Sequence, residues 1–200
     1  MKNAKLFLIS LVFVSLSNSV LLAADTASVT LGKVVELGCH RLERLVTLGK
    51  IDESFLTKIN SIQITKLQPT KPTDPSFKVV VTQYSGADGT ANQVDLMMDA
   101  NGKGIAQTLR AGADAQNAPV WNDKDAVSLV ENSLHYIFES NDSEIKLFVT
   151  GLSYLRLKQV NNDRGEKSAR VQMNSTDSSK ILEITMKEDG TVESANTVNP

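Results

Sequence analysis

Apolar and polar residues alternate with period two in two stretches of the chain that lie 88 positions apart. Residues 94–102 read VDLMMDANG, and residues 182–190 read LEITMKEDG. A period of two is that of a half-buried strand, and the closing Asn-Gly and Asp-Gly pairs accept the positive φ angles of a tight turn. Both stretches are therefore predicted to be a strand, a turn and the start of a second strand.

Two longer segments have the period of an amphipathic helix. They cover about residues 31–48 and 125–140. One side of each is apolar: Leu31, Val35, Cys39, Leu42 and Val46 in the first, and Val127, Val130, Leu134, Ile137 and Phe138 in the second. Each segment is therefore predicted to be a helix that packs on a sheet.

The order of the predicted elements is the same in the two halves of the chain. A long helix and a short helical turn precede strands at 61–68, 77–85, 92–99 and 104–110, and again at 152–160, 167–174, 180–187 and 191–198. This order predicts the α+β class, as a tandem repeat of a helix, a short helix and a four-stranded antiparallel meander. The two sheets either stay separate or join; joining is favoured, since it removes an exposed edge.

The predicted organisation has four parts. Residues 1–24 have the layout of a signal peptide, with Lys2 and Lys5 before an apolar run at 6–16 and Ala23-Ala24 at the cleavage site. Next come the first repeat at 25–110, a linker at 111–123 rich in Ala, Asn and Asp, and the second repeat at 124–200. We expect a periplasmic or secreted protein with no membrane insertion after signal removal.

Composition narrows the function classes. The net charge is −2, and it becomes −4 when Lys2 and Lys5 leave with the signal, so nucleic acid is not an expected partner. The chain has one cysteine and two histidines, which leaves few candidates for a metal site or for nucleophilic catalysis. We expect no catalytic residues, no metal and no cofactor, and therefore a protein that is not an enzyme.

Three local features have a chemical and a structural interpretation. Cys39-His40 resembles a nucleophile with its base, but neighbouring helical residues point about 100° apart, which favours a buried thiol beside an exposed imidazole. Residues 99–104 resemble a calcium loop, but Lys103 stands at a ligand position, which favours a turn. Trp121 either closes the seam between the halves or anchors a partner; the seam is favoured.

The remaining candidate for function is the sheet face turned away from the helices. We expect it to bind another exported or envelope protein, because a basic, polar patch beside a more apolar one is typical of a protein-binding face. Its predicted binding residues are Val80, Tyr84, Met97, Tyr154, Arg156, Lys158, Arg170 and Gln172. The alternative is a carrier of a small apolar ligand between helices and sheet, suggested by Met97, Met98, Met173 and Met186. The partner and the oligomeric state are left open.

The layout also resembles known families of exported modules. A late hairpin with acid-x-Gly at its tip, in Asp99-Ala100-Asn101-Gly102 and in Glu188-Asp189-Gly190, is similar to PepSY-like modules. The tandem order of helices and four strands resembles the β-lactamase inhibitor protein fold, although a single cysteine cannot supply a disulfide in each repeat. The resemblance implies a non-enzymatic module that binds or inhibits another exported protein.

Overall fold

The computed structural model describes residues 30–84, 90–114, 121–161 and 166–200. Within these ranges the chain forms four helices, and none of them is both long and apolar enough to span a bilayer. The helices are α1 (Leu31–Thr47), α2 (Ser54–Thr57), α3 (Asp123–Glu139) and α4 (Ser143–Thr150). The first begins where the Thr30 side chain accepts a hydrogen bond from the Lys33 amide, and the Asn122 side chain caps α3 in the same way.

Eight strands form one antiparallel sheet with the order β4-β3-β2-β1-β5-β6-β7-β8. The strands are β1 (Ile59–Lys66), β2 (Phe77–Tyr84), β3 (Thr90–Met98), β4 (Gly104–Asp114), β5 (Leu152–Asn161), β6 (Lys167–Ser175), β7 (Ile181–Lys187) and β8 (Val192–Val198). The α+β class is confirmed. Of the two sheet arrangements left open, the strands adopt the joined one, in which β1 pairs with β5.

The core lies between the helices and one face of the sheet. Alternate residues along the strands point into it, as period two requires. Among the fully buried side chains are Ile62 and Leu155, which lie on the two central strands, and Leu42, which lies on α1. One apolar cluster includes buried residues from all four helices except α2's exposed turn residues, so both halves share a single core.

Both hairpin turns have the predicted conformation. Gly102 has a φ of 75° and Gly190 a φ of 84°. In each turn the glycine amide donates to the carbonyl three residues earlier, at Asp99 or Lys187, over 3.0 Å. A Cβ at Gly102 would collide with the side chain of Leu37, and one at Gly190 with that of Asn132.

The β-bulges of the two halves also fall at matching positions. One extra residue, Ile105, lies in β4 opposite the end of β3, and one extra residue, Glu193, lies in β8 opposite the end of β7. A second pair of irregularities lies at Asn60 in β1 and at Ser153 in β5. Each bulge therefore has a counterpart in the other half.

The chain between the two halves differs from the predicted linker at both ends. Strand β4 continues past residue 110 to Asp114, because a register shift lets Ala113 pair with Ala91 of β3. At the other end α3 already begins at Asp123. Between them Trp121 is buried and forms an isolated bridge with Ile59 at the start of β1. Residues 115–120 lie outside the described ranges, as does the predicted signal peptide.

Candidate functional site

The sheet face opposite the helices is called the open face. Its side chains alternate with the core residues along every strand. Those used below are Ser61, Gln63 and Thr65 of β1, Lys78, Val80 and Tyr84 of β2, Gln93, Asp95 and Met97 of β3, Arg110 of β4, Tyr154, Arg156 and Lys158 of β5, Arg170 and Gln172 of β6, and Glu183 of β7.

The three predicted residues of the first half do not form one apolar patch. Met97 lies opposite Lys78, whereas Tyr84 lies opposite Ala91, six residues further along β2. At 3.3 Å per residue this separation is about 20 Å. Val80 was expected to be exposed, but it is buried. It is a short side chain that stands directly between Gln63 and Asp95 on the neighbouring strands, and these take up its solvent contact.

Asp95 was also expected to be exposed, and it is the second correction. Its carboxylate is held within the open face, with Oδ2 at 3.0 Å from Lys78 Nζ and 3.3 Å from Arg110. Gln93 Nε2 donates to Oδ1 over 2.6 Å. Burial alone would raise the pKa of Asp95, but the Gln93 hydrogen bond and the two cations outweigh it, so the pKa is lowered. The charges of Lys78 and Arg110 are thereby satisfied within the protein.

The five predicted residues of the second half form one contiguous group. Tyr154, Arg156 and Lys158 follow one another along β5, with Arg170 directly opposite Lys158 and Gln172 directly opposite Arg156 on β6. All five are partly exposed. Burial raises the pKa of the Tyr154 phenol, and the neighbouring Arg156 opposes that effect. This part of the open face has the composition of a binding surface.

Arg156, Lys158 and Arg170 are called the basic cluster. Like charges on directly opposed strand positions, as at Lys158 and Arg170, destabilise a sheet. Within the described residues no ion pair joins the cluster to an acidic side chain. The nearby Glu183 carboxylate instead accepts from Gln172 Nε2 over 2.6 Å. In contrast to Lys78 and Arg110, these three cations have unsatisfied charge.

The prediction missed the middle of the open face. Gln63 of β1 lies directly between Val80 of β2 and Arg156 of β5, and Ser61 and Thr65 flank it along the strand. These residues join the two halves of the face. Their alternation with Ile62 and Ile64 is visible in the sequence, but their central place depends on the pairing of β1 with β5.

The Cys39-His40 pair does not form a reactive site. Cys39 is buried, and burial, followed by the charges of Asp123 and Glu43, raises the pKa of its thiol to about 12. His40 is exposed, and its Nδ1 lies 2.9 Å from Glu43 Oε2; this contact raises the pKa of the imidazole. Among the described residues no group of three His, Cys, Asp or Glu side chains is placed to hold a metal ion.

A groove of about 380 Å³ lies where the helices meet one end of the sheet. Its apolar lining comes from Leu31, Phe77, Leu134, Ile137, Phe138, Val149 and Leu152. The methionines that suggested a ligand site do not line it, because Met98, Met173 and Met186 are fully buried in the core and Met97 lies on the open face.

Comparison of the chain with family models, with curated protein sequences and with solved structures found no match.

Proposed function

We propose that this chain is an exported, non-enzymatic protein that binds another exported or envelope protein through the open face, as an inhibitor or accessory protein. The observation that supports this proposal most is the basic cluster. Three cations stand together on adjacent central strands, and no acidic partner among the described residues neutralises them. A partner that supplies carboxylates would relieve their mutual repulsion.

The cluster also indicates what kind of partner surface fits. Arginine guanidinium groups bind carboxylates with two parallel hydrogen bonds, and Arg and Tyr are both enriched in protein interfaces. Arg156 stands beside Tyr154 on β5, and Arg170 lies on the next strand. The proposed partner therefore presents Asp or Glu side chains on a surface broad enough to cover β5 and β6.

A charge-matched capture experiment tests this proposal. The immobilised chain is exposed to envelope extract, in parallel with an Arg156→Ala/Arg170→Ala variant and with a Lys124→Ala/Lys146→Ala control that removes two exposed charges from the helices. We expect the wild type and the control to retain the same protein, the open-face variant to lose it, and raised salt to weaken the binding. Equal capture by all three chains would exclude the open face.

The carriage of a small apolar ligand is the second candidate function, and the groove favours it. Its volume of about 380 Å³ falls within the range of small-molecule sites, and its lining is mostly apolar. Phe138 contributes to that lining although its side chain is 73% exposed. A bound apolar molecule would cover this ring.

Filling the groove tests ligand carriage. Native mass spectrometry of the purified wild type should show a co-purified mass that a Val149→Trp variant loses, because Val149 lines the groove. A Leu48→Trp variant places the same side chain at another exposed apolar position and should retain the ligand. Absence of a bound mass from the wild type would remove this candidate.

The repeat is also a proposal: we infer that the two halves are copies of one folding unit. The matching bulges support it, since Ile105 and Glu193 are 88 positions apart, as are Gly102 and Gly190. The turns share the same backbone hydrogen bond from glycine to the third preceding carbonyl. Chance placement of a bulge and a positive-φ glycine at the same offset is an inferior explanation.

Export and kinship with PepSY-like or β-lactamase-inhibitor-like modules rest on the sequence pattern and on this layout. Both imply that residues 1–24 are removed. Amino-terminal sequencing of the protein recovered from cell envelope should therefore begin at Asp25. A sequence that begins at Met1 would contradict export through a cleaved signal.

A further inference from the structure

The edge strand β4 is long and lacks the features that usually protect a sheet edge. It has a neighbouring strand, β3, on one side only. It contains neither proline nor lysine, and the charge of Arg110 is paired with Asp95 on β3. Ile105 and Leu109 are 48% and 55% exposed. Exposed, uncharged, apolar edge strands pair with other strands.

The opposite edge provides a comparison within the same molecule. Strand β8 is shorter, and its Val192 and Ala195 pack against the core. Thr197 Oγ1 donates to Glu144 Oε2 over 2.8 Å, which ties the strand to α4. The side chains of β8 thus have partners within the chain, whereas residues 105–111 of β4 are all exposed.

We propose that β4 pairs antiparallel with β4 of a second copy of this chain, so that two sheets join across a two-fold axis. A strand edge that meets itself in this way is self-complementary, as a two-fold interface requires. If the axis passes through Gln107, Ile105 lies opposite Leu109 of the second copy, and the reverse pair repeats the contact. Directly opposed apolar side chains stabilise a strand pair.

This register also avoids a charge conflict. Arg110 falls opposite Gly104 of the second copy, so the two arginines do not face one another. The helices of both copies lie on the same side, and the two open faces continue into each other. The inference concerns the sheet edge and does not depend on the proposed partner of the open face.

Light scattering after gel filtration tests the dimer. The wild type should have twice the mass of the chain, and Leu109→Lys should raise the dissociation constant about tenfold or more, because it places a charge on the paired edge. Phe138→Lys, an equally exposed apolar position on α3, should leave the dimer unchanged. A monomer at concentrations up to about 1 mM, a polydisperse aggregate, or a dimer insensitive to Leu109→Lys overturns the proposal.

Cross-linking tests which edge and which register are used. In Gln107→Cys the two new thiols would lie directly opposite each other, within reach of a disulfide, and the natural Cys39 is buried. Oxidation should link this variant into covalent dimers and leave Ser194→Cys, on the β8 edge, unlinked. Linkage of Ser194→Cys without linkage of Gln107→Cys overturns the proposal, and so does an interface with an unrelated chain instead of a second copy.

Discussion

At the scale of single residues, the open face treats its charges in two ways. Asp95 gathers Lys78 and Arg110 into an internal ion pair with a side chain that is only 3% exposed. The basic cluster has no such acid. The first arrangement contributes to stability and the second leaves charge for a partner, so the two groups respond differently to substitution.

Asp95→Asn should destabilise the protein by about 1–3 kcal/mol at neutral pH, since it leaves buried donors without a charged acceptor. Because the folded pKa of Asp95 is lowered from 3.8, its contribution is complete above that value and is lost as the pH falls through the lower folded pKa. Urea unfolding at pH 7 and pH 3 should therefore show the difference between wild type and variant shrinking in acid.

Glu188→Gln is the matched control for that measurement. Glu188 is exposed and lies 3.6 Å from Lys167, so its loss should change the free energy of unfolding by less than about 0.5 kcal/mol. Equal effects of the two substitutions at pH 7 would contradict the buried ion pair.

Cys39 should resist thiol reagents until the protein opens. Its thiol is buried and its pKa is raised to about 12, so almost no thiolate is present or accessible at pH 8. Labelling followed by absorbance should be slow in buffer and accelerate with urea. A Leu48→Cys variant adds an exposed thiol that should react at once; equally fast labelling of Cys39 in the wild type would be inconsistent with its burial.

At the scale of elements, the hairpins depend on backbone conformation as much as on packing. Gly49, Gly102 and Gly190 all have positive φ, but only the last two also lie against a side chain. Nothing lies within 4 Å of a Cβ added at Gly49. The three glycines therefore separate backbone strain from steric collision.

Gly49→Ala should cost about 1 kcal/mol through strain alone. Gly102→Ala and Gly190→Ala should each cost more, since the new Cβ also displaces Leu37 or Asn132. The two losses should add in the double variant, because the turns lie in different halves and contact different residues. Chemical denaturation of the four variants measures this, and a Gly49→Ala cost equal to the others would exclude the collisions.

The elements themselves were largely predictable, because their signals are local. The apolar period and the Thr30 cap define α1, and the Asn-Gly and Asp-Gly pairs define the two turns. Relations between distant strands were not predictable. The burial of Val80 and Asp95 depends on Gln63, Lys78 and Arg110, which reach them only after β1, β2, β3 and β4 are in register.

At the scale of the whole molecule, the two halves share one sheet and one core. Residues 61–65 of β1 pair with residues 154–158 of β5, and α1 packs with α3 above them. Trp121, the single tryptophan, is buried against β1 at this seam. A protein connected in this way should unfold as one unit.

Leu155→Ala should therefore lower the stability of both halves together. Leu155 is fully buried on β5, and truncation of such a residue costs about 2–5 kcal/mol. Tryptophan fluorescence and far-ultraviolet circular dichroism should give coincident unfolding curves in wild type and variant, both shifted to lower urea in the latter. Two separated transitions would show that the halves unfold independently.

The seam between β1 and β5 also has a consequence for the order in which the protein folds. Thr65 pairs with Tyr154 and Ser61 with Lys158, so the chain must close loops of 89 to 97 residues to form this contact. Contacts of such long range slow folding. During synthesis β1 emerges with no partner on its second side, and Ile62 and Ile64 stay uncovered on that edge until β5 has been made. A helper that shields extended apolar strands would act on the nascent chain in this interval.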